Sequence, residues 1–215
     1  DGTDGMDVSG TTSQTLYHNG TTWIATSNLS NNGTAVTIDK DASINGMTVG
    51  KGSGTYVSGN GYHSIAFGNN ALNANTSGNY NVGVGYEALT ANTSGENNVG
   101  VGYRSLYSNT TGDYNTANGD FSLFSNTTAG YNTANGYGAL YRNTTGVRNT
   151  ANGYKSLYSN TTGDYNTANG YGALRSNTTA SYNTANGYFS LFSNTTGGYN
   201  TANGYEALYS NTTGE

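Results

Sequence analysis

The chain has 215 residues, of which only 9% are charged; 33 are Gly, 20 are Tyr, and there is no Pro or Cys. Seven scattered Lys and Arg against 12 acids give a net charge of −5, which argues against nucleic acid as a partner because no basic stripe is available for phosphates. Absence of Cys excludes disulfide staples and thiol chemistry, and no apolar run approaches the length of a membrane span.

The chain opens on "DGTDGMD", where Gly2 and Gly5 have the spacing of a Gly-X-Y tract. It reads as a fragment or processed piece without a visible signal peptide. "QTLYHNGTTWIAT" predicts a β-hairpin around Asn19-Gly20, a type I′ turn pair, and "SNNGTAVTID" predicts a second turn at Asn32-Gly33. "KDASINGMTVGKGSG" is a Gly-rich approach to a set of tandem repeats. Residues 1–62 read as a small β junction that starts a stack and covers its first open edge.

From Ser64 onward one phrase repeats with a period of 17: Ser64, Asn81, Asn98, Asn115, Asn132, Asn149, Asn166, Asn183 and Asn200 each begin a copy. In all nine copies the fifth position is Gly, the eighth is Ala or Ser, and the twelfth and thirteenth are Asn-Thr. The ninth is always Leu: Leu72, Leu89, Leu106, Leu123, Leu140, Leu157, Leu174, Leu191 and Leu208. A polar, Gly-rich composition with mean hydropathy −0.61 usually reads as disorder. A Leu held at one position argues for an ordered core column instead.

Seventeen residues are too few for a helix pair. One Leu per copy makes no amphipathic face, and the Gly and Asn positions break helices. "NVGVGY" alternates as a strand does, and "NTTG" carries turn chemistry with Gly at positive φ. Each copy therefore predicts a short strand, a bend, a second extended piece and a turn. The fold class is all-β: a parallel β-solenoid or β-roll of nine 17-residue coils over residues 63–215. Neighbouring coils would lie about 4.8 Å apart, with Asn amides bonding and aromatic rings stacking up the columns.

A single coil buries little against the roughly 1–2 kcal/mol that ordering each residue costs. Small residues at the third, fifth and eighth positions would let neighbouring chains approach, most simply as a homotrimer. Ala139, Ser156 and Ala173, with Gly136, are the expected lateral contacts.

The phrase Asn132, Ala134, Gly136, Tyr137, Ala139 and Leu140 resembles the head repeats of trimeric autotransporter adhesins. More closely it resembles the Asn/Thr-rich repeats of phage tail fibres and large bacterial surface fibres. The resemblance spans nearly the whole chain. It implies a homotrimeric β-roll or β-solenoid that extends or presents a binding tip. Two departures stand out: autotransporter heads use a shorter repeat, and neither a membrane anchor nor a self-cleaving chaperone domain is present.

Little in the sequence suggests chemistry. His18 and His63 have no partners at metal-ligand spacing. Asp113 and Asp164 share a position but lie three coils apart, and no paired carboxylates face each other. The chain reads as no enzyme, with no cofactor and no metal. All nine copies carry the N-glycan acceptor pattern at the Asn-Thr turn, which reads as turn chemistry. Tyr86, Tyr103, Tyr137, Tyr154, Tyr171, Tyr188 and Tyr205 form a column that either stacks structurally or faces a ligand.

The expected function is an extracellular structural fibre segment of a cell surface or virion, a stiff spacer and adhesive shaft. It would meet a surface glycan and insert in no membrane. The alternatives are a carbohydrate- or surface-binding module using the Tyr columns and an ice-binding protein using the Thr76-like and Thr116-like columns.

Overall fold

The computed structural model describes residues 63–214 and, ahead of them, the backbone of six short strands. The chain divides into two compact units, residues 1–42 and 43–215. In the first unit, β1 (Thr15–His18) pairs antiparallel with β2 (Trp23–Thr26), and β3 (Leu29–Asn31) with β4 (Val36–Ile38). The pairs flank the expected hairpin at Asn19-Gly20 and the expected second turn at Asn32-Gly33; those Asn-Gly residues, and the Gly-X-Y-like start, lie outside the described residues.

An eleven-stranded sheet begins with β5 (Ala42–Ile44) and β6 (Met47–Gly50). β6 pairs antiparallel with β7 (Ile65–Phe67), matching Val49 to Phe67 and Gly50 to Ala66. It thereby covers the outer edge of the first coil. From β7 the sheet is parallel, one three-residue strand per coil: β8 (Val82–Val84), β9 (Val99–Val101), β10 (Thr116–Asn118), β11 (Thr133–Asn135), β12 (Thr150–Asn152), β13 (Thr167–Asn169), β14 (Thr184–Asn186) and β15 (Thr201–Asn203). Each residue pairs with its counterpart one repeat on, as Ala117 does with Ala134 and Ala151 with Ala168. From β7 onward the described residues thus form a parallel β-solenoid, and no described residue lies in a helix.

Only the second to fourth positions form a regular strand, yet the ladder of backbone bonds continues around the coil. In the fifth coil, the Gly136, Leu140, Arg142 and Thr144 amides donate to the carbonyls of Asn118, Ser156, Tyr158 and Thr161, at 2.8, 3.1, 3.1 and 3.0 Å. These acceptors lie in the coil before for Gly136 and in the coil after for the other three. The bend after the strand runs through left-handed residues at the seventh and ninth positions, such as Lys155 at φ 51° and Leu157 at φ 49°, and no second regular strand follows it in the described coils.

Left-handed backbone costs a non-Gly residue about 1–2 kcal/mol. The Leu column accepts that cost at every coil, from 48° at Leu191 to 54° at Leu89. The turn aims Leu72 through Leu191 into the interior, where all are fully buried, and burial of a Leu side chain contributes about 2 kcal/mol. The turn is also closed by a bond from the Asn143 amide to the Leu140 carbonyl, 3.1 Å long. Leu208, in the last described coil, is 51% exposed.

Glycine is required at the fifth position for two reasons. Gly153 has φ 133°, and a Cβ there would lie 2.5 Å from the carbonyl oxygen of Gly170 in the next coil. The "NTTG" glycine differs from expectation, since it does not take positive φ. Space governs it: a Cβ on Gly146 would lie 2.5 Å from the Gly163 carbonyl. Ala129 and Ala180 nonetheless occupy this position in two coils and are buried there.

The lateral contacts expected from sequence are corrected. Ala139, Ser156 and Ala173 are fully buried within their own chain. Ser156 Oγ donates to the Gly153 carbonyl at 3.0 Å. Gly136 faces the next coil of the same chain, since a Cβ there would meet Gly153 at 2.8 Å. The small residues serve close stacking along the axis.

The remaining interior is polar. At the first position, the Asn149 Oδ1 accepts from the Asn166 amide at 2.9 Å, and its Nδ2 donates to the Gly163 carbonyl at 2.8 Å. At the twelfth, Asn160 Nδ2 donates both to Asn143 Oδ1 at 2.8 Å and to the Gly163 carbonyl at 2.9 Å. Two buried Asn ladders therefore flank the Leu column, and among the described residues no buried side-chain N or O lacks a partner. Replacing Asn149 by the similarly sized Leu strands the Asn166 N–H. The expected loss is about 1–3 kcal/mol, read as a melting temperature several degrees lower by circular dichroism. An unchanged melting temperature would mean that the ladder contributes nothing.

Candidate binding surface

The exposed surface carries three aromatic ladders. At the sixth position, Tyr86 stacks on Tyr103 with centroids 5.4 Å apart. Tyr137, Tyr154, Tyr171, Tyr188 and Tyr205 continue at spacings of 5.5, 4.8, 5.2 and 5.3 Å. Asp120 interrupts this column, its Oδ1 accepting from the Tyr103 amide at 2.9 Å. Phe121 bridges the gap edge-on, 5.1 Å from Tyr103 and 5.9 Å from Tyr137. At the tenth position Tyr107, Phe124, Tyr141 and Tyr158 stack at 5.1, 5.1 and 5.0 Å. Arg175 then takes a ring's place, its guanidinium 6.0 Å from Tyr158 and 5.5 Å from Phe192.

The third ladder, at the seventeenth position, was not singled out from sequence. His63 stacks on Tyr80 at 5.2 Å, and Tyr114 on Tyr131 at 5.0 Å. Tyr165, Tyr182 and Tyr199 continue it at 5.0 and 4.9 Å. Arg148 fills the missing ring, 5.5 Å from Tyr131 and 5.3 Å from Tyr165, and donates to the Tyr165 hydroxyl. The signal was present in the recurrence of Tyr80, Tyr114, Tyr131 and Tyr165 at one position, interrupted by Asn97 and by the planar cation of Arg148.

This geometry limits what the Tyr columns can offer. Ring faces within a run are occupied by the rings of adjacent coils, while the side chains remain about half exposed, Tyr137 at 46% and Tyr154 at 39%. A ligand therefore meets mainly ring edges and phenol hydroxyls at intervals of about 5 Å, the coil spacing. A sugar laid flat on a free tyrosine face has little place along these runs.

Two glycines break the seventh position, Gly138 and Gly172. The Phe189 ring occupies the space beside Gly172, 2.5 Å from where its Cβ would be. The corresponding residue above Gly138 is Lys155, whose Cγ would lie 3.6 Å from a Cβ there; Lys155 also lines an open surface cleft of about 130 Å³ together with Phe121, Tyr137, Tyr141 and Tyr158. Lys155 Nζ lies 5.1 Å from the Tyr154 ring and 5.5 Å from Tyr158. A hydrogen bond with Tyr154 raises its pKa, opposed by its desolvation and by the nearby charge of Arg175. Arg142, exposed as its charge implies, lies 5.9 Å from the same Tyr158 ring.

The acids have local tasks. At the sixteenth position Asp113 Oδ1 accepts from the Glu96 amide, and Asp164 Oδ1 from the Val147 amide, each at 2.7 Å. Glu87 pairs with Arg104 at 2.7 Å, and this hydrogen bond raises the Arg104 pKa. Among the described residues no three His, Cys, Asp or Glu side chains gather to hold a metal ion.

The Asn-Thr-Thr acceptor pattern is a turn device. Asn143, Asn160 and Asn177 are fully buried, and each amide nitrogen makes two hydrogen bonds. Thr76 and its successors donate their hydroxyls to the next coil, as Thr144 does to the Thr161 carbonyl at 3.1 Å. The Thr116-like column instead lies on the strand, alternating with buried Ala. Beyond it runs an Asn row in which Asn135 Nδ2 donates to Asn152 Oδ1 at 2.7 Å. The two Thr columns are thus separate features. Comparison of the chain with protein-family models, with curated proteins and with solved structures returns no match.

Proposed function

We propose that the chain is a structural fibre segment of a cell-surface or virion appendage, a stiff extracellular spacer and adhesive shaft with no catalytic role. The observation that carries this reading is the repeated register: buried columns of Asn, Leu and small residues (Ala, Ser or Gly) recur through the coils from Ser64 onward. Each added coil lengthens such a stack by about 4.8 Å and leaves the other coils unchanged. Resemblance to the repeats of phage and bacterial fibres supports the same reading.

The proposed assembly is a homotrimer, without nucleic acid or membrane insertion. Because the small-residue positions face inward or along the axis, the contacts between chains would be made by other, exposed positions. Sedimentation velocity of the full chain is expected to give an elongated particle with the mass of three chains. A monomer would remove the trimer and leave the spacer, whereas a compact particle would remove the spacer. Thermal hysteresis in a freezing assay would favour ice binding instead.

A further inference from the structure

We propose that the Gly138 cleft and the cations around Tyr158 form a binding site for an acidic polysaccharide, a chain of carboxylate- or sulfate-bearing pyranoses. Three positive charges converge on one ring: Arg142, Lys155 and Arg175 lie 5.9, 5.5 and 6.0 Å from the Tyr158 centroid. None of them is in a salt bridge among the described residues, where the Arg104–Glu87 pair is the one present. The sixth to eleventh positions of the fifth to eighth copies carry these three cations and no Asp or Glu. The nearest acids along this face are Asp120 and Glu206, at its two ends. In a chain of net charge −5, such a cluster stands against the overall balance, and like charges held together without a counterion repel.

Three further observations select the occupant. Lys155 lines the cleft and leaves more room beside Gly138 than the Phe189 ring leaves beside Gly172, 3.6 Å against 2.5 Å from the place of a Cβ. Around it, Tyr137 and Tyr141 contribute partly exposed phenol side chains, which suit a hydroxyl-rich ligand that also carries charge. Nucleobases would need free ring faces, and here the rings of Tyr141 and Tyr158 stack on each other at 5.0 Å. The site goes beyond the spacer reading and does not depend on it, since a spacer needs no ligand.

The chain itself supplies the test variant. Ser159, Phe189 and Tyr158 occupy the positions of Arg142, Lys155 and Arg175 in other copies, so Arg142→Ser/Lys155→Phe/Arg175→Tyr keeps residues the coil already accepts. Binding of the full chain to immobilised polygalacturonate, heparin, dextran and single-stranded oligo-dT would be measured by biolayer interferometry. Wild type is expected to bind polygalacturonate, heparin or both, to release them as salt rises, and to ignore dextran. The triple variant should bind at least tenfold more weakly with an unchanged circular dichroism spectrum. Should that variant misfold, Lys155→Glu alone is expected to show the same weakening, because Glu87 and Glu206 already hold that position. The proposal is overturned if wild type binds neither acidic polymer, if the folded variant binds as well as wild type, or if oligo-dT binds more tightly than both polysaccharides. None of these results bears on particle length, so the spacer reading stands or falls separately.

Discussion

Replacing Leu140 by Asp is expected to unfold the coils around it, while replacing Arg142 by Asp leaves the melting temperature within a degree or two. The two residues lie two apart on one turn, yet Leu140 is fully buried and Arg142 is exposed. An Asp carboxylate at Leu140 would sit between Leu123 and Leu157, both fully buried, and no Lys, Arg or His among the described residues is buried to pair with it. Burying an unpaired charge costs several kcal/mol, in addition to the lost Leu contacts. The left-handed turn at φ 52° already stores strain that the Leu burial offsets. A loss of about 4 kcal/mol or more lowers the melting temperature by roughly 10 °C, and in a stack of nearest-neighbour units it uncouples the coils on either side. Equal melting of the two variants would contradict the inward placement of the Leu column.

The coil architecture was legible because its signals are periodic. Parallel stacking follows from one Leu and two Asn recurring at fixed positions, and a 17-residue period leaves room for one strand and its return. The course of the chain within a coil was less legible. Nothing in the letters of Tyr137 to Asn143 marks a Leu as left-handed, because propensity disfavours it and only the closed hydrogen bonding of the whole coil imposes it. Small residues have the same ambiguity. Gly136 and Ala139 can serve either a neighbouring chain or the next coil, and only the burial of Ala139 and the approach of Gly153 to Gly136 decide for the coil. Arg148 and Arg175 looked like scattered cations because a guanidinium standing in for a ring shares its planarity and not its letter. The cation cluster was hidden for a related reason. Arg142, Lys155 and Arg175 occupy three different positions of three different copies, and only the stack brings them onto Tyr158.

Deleting one whole repeat, Asn132 to Arg148, is the second large test, set against deletion of about half a repeat from the same place. In the whole-repeat deletion Asn149 comes directly after Tyr131, just as Asn132 does now, and every column closes up in register. The Leu123 amide, which now donates to the Ala139 carbonyl at 3.0 Å, would find Ser156 in the same place. In the half-repeat deletion the first copy after the cut meets its neighbour out of phase: Leu falls opposite turn residues, and the buried Asn amides lose both partners. Each unsatisfied buried group costs about 1–3 kcal/mol, and a misaligned coil creates many. The whole-repeat variant should express and melt within a few degrees of wild type, and the half-repeat variant should lose its cooperative transition.

Small-angle X-ray scattering of the whole-repeat deletion beside wild type tests the stacked-coil architecture most directly. Stacked coils predict the same cross-section and a maximum dimension shorter by about 5 Å, the spacing of one coil. An altered cross-section, or an unfolded profile for a deletion that keeps every column in register, would contradict that architecture.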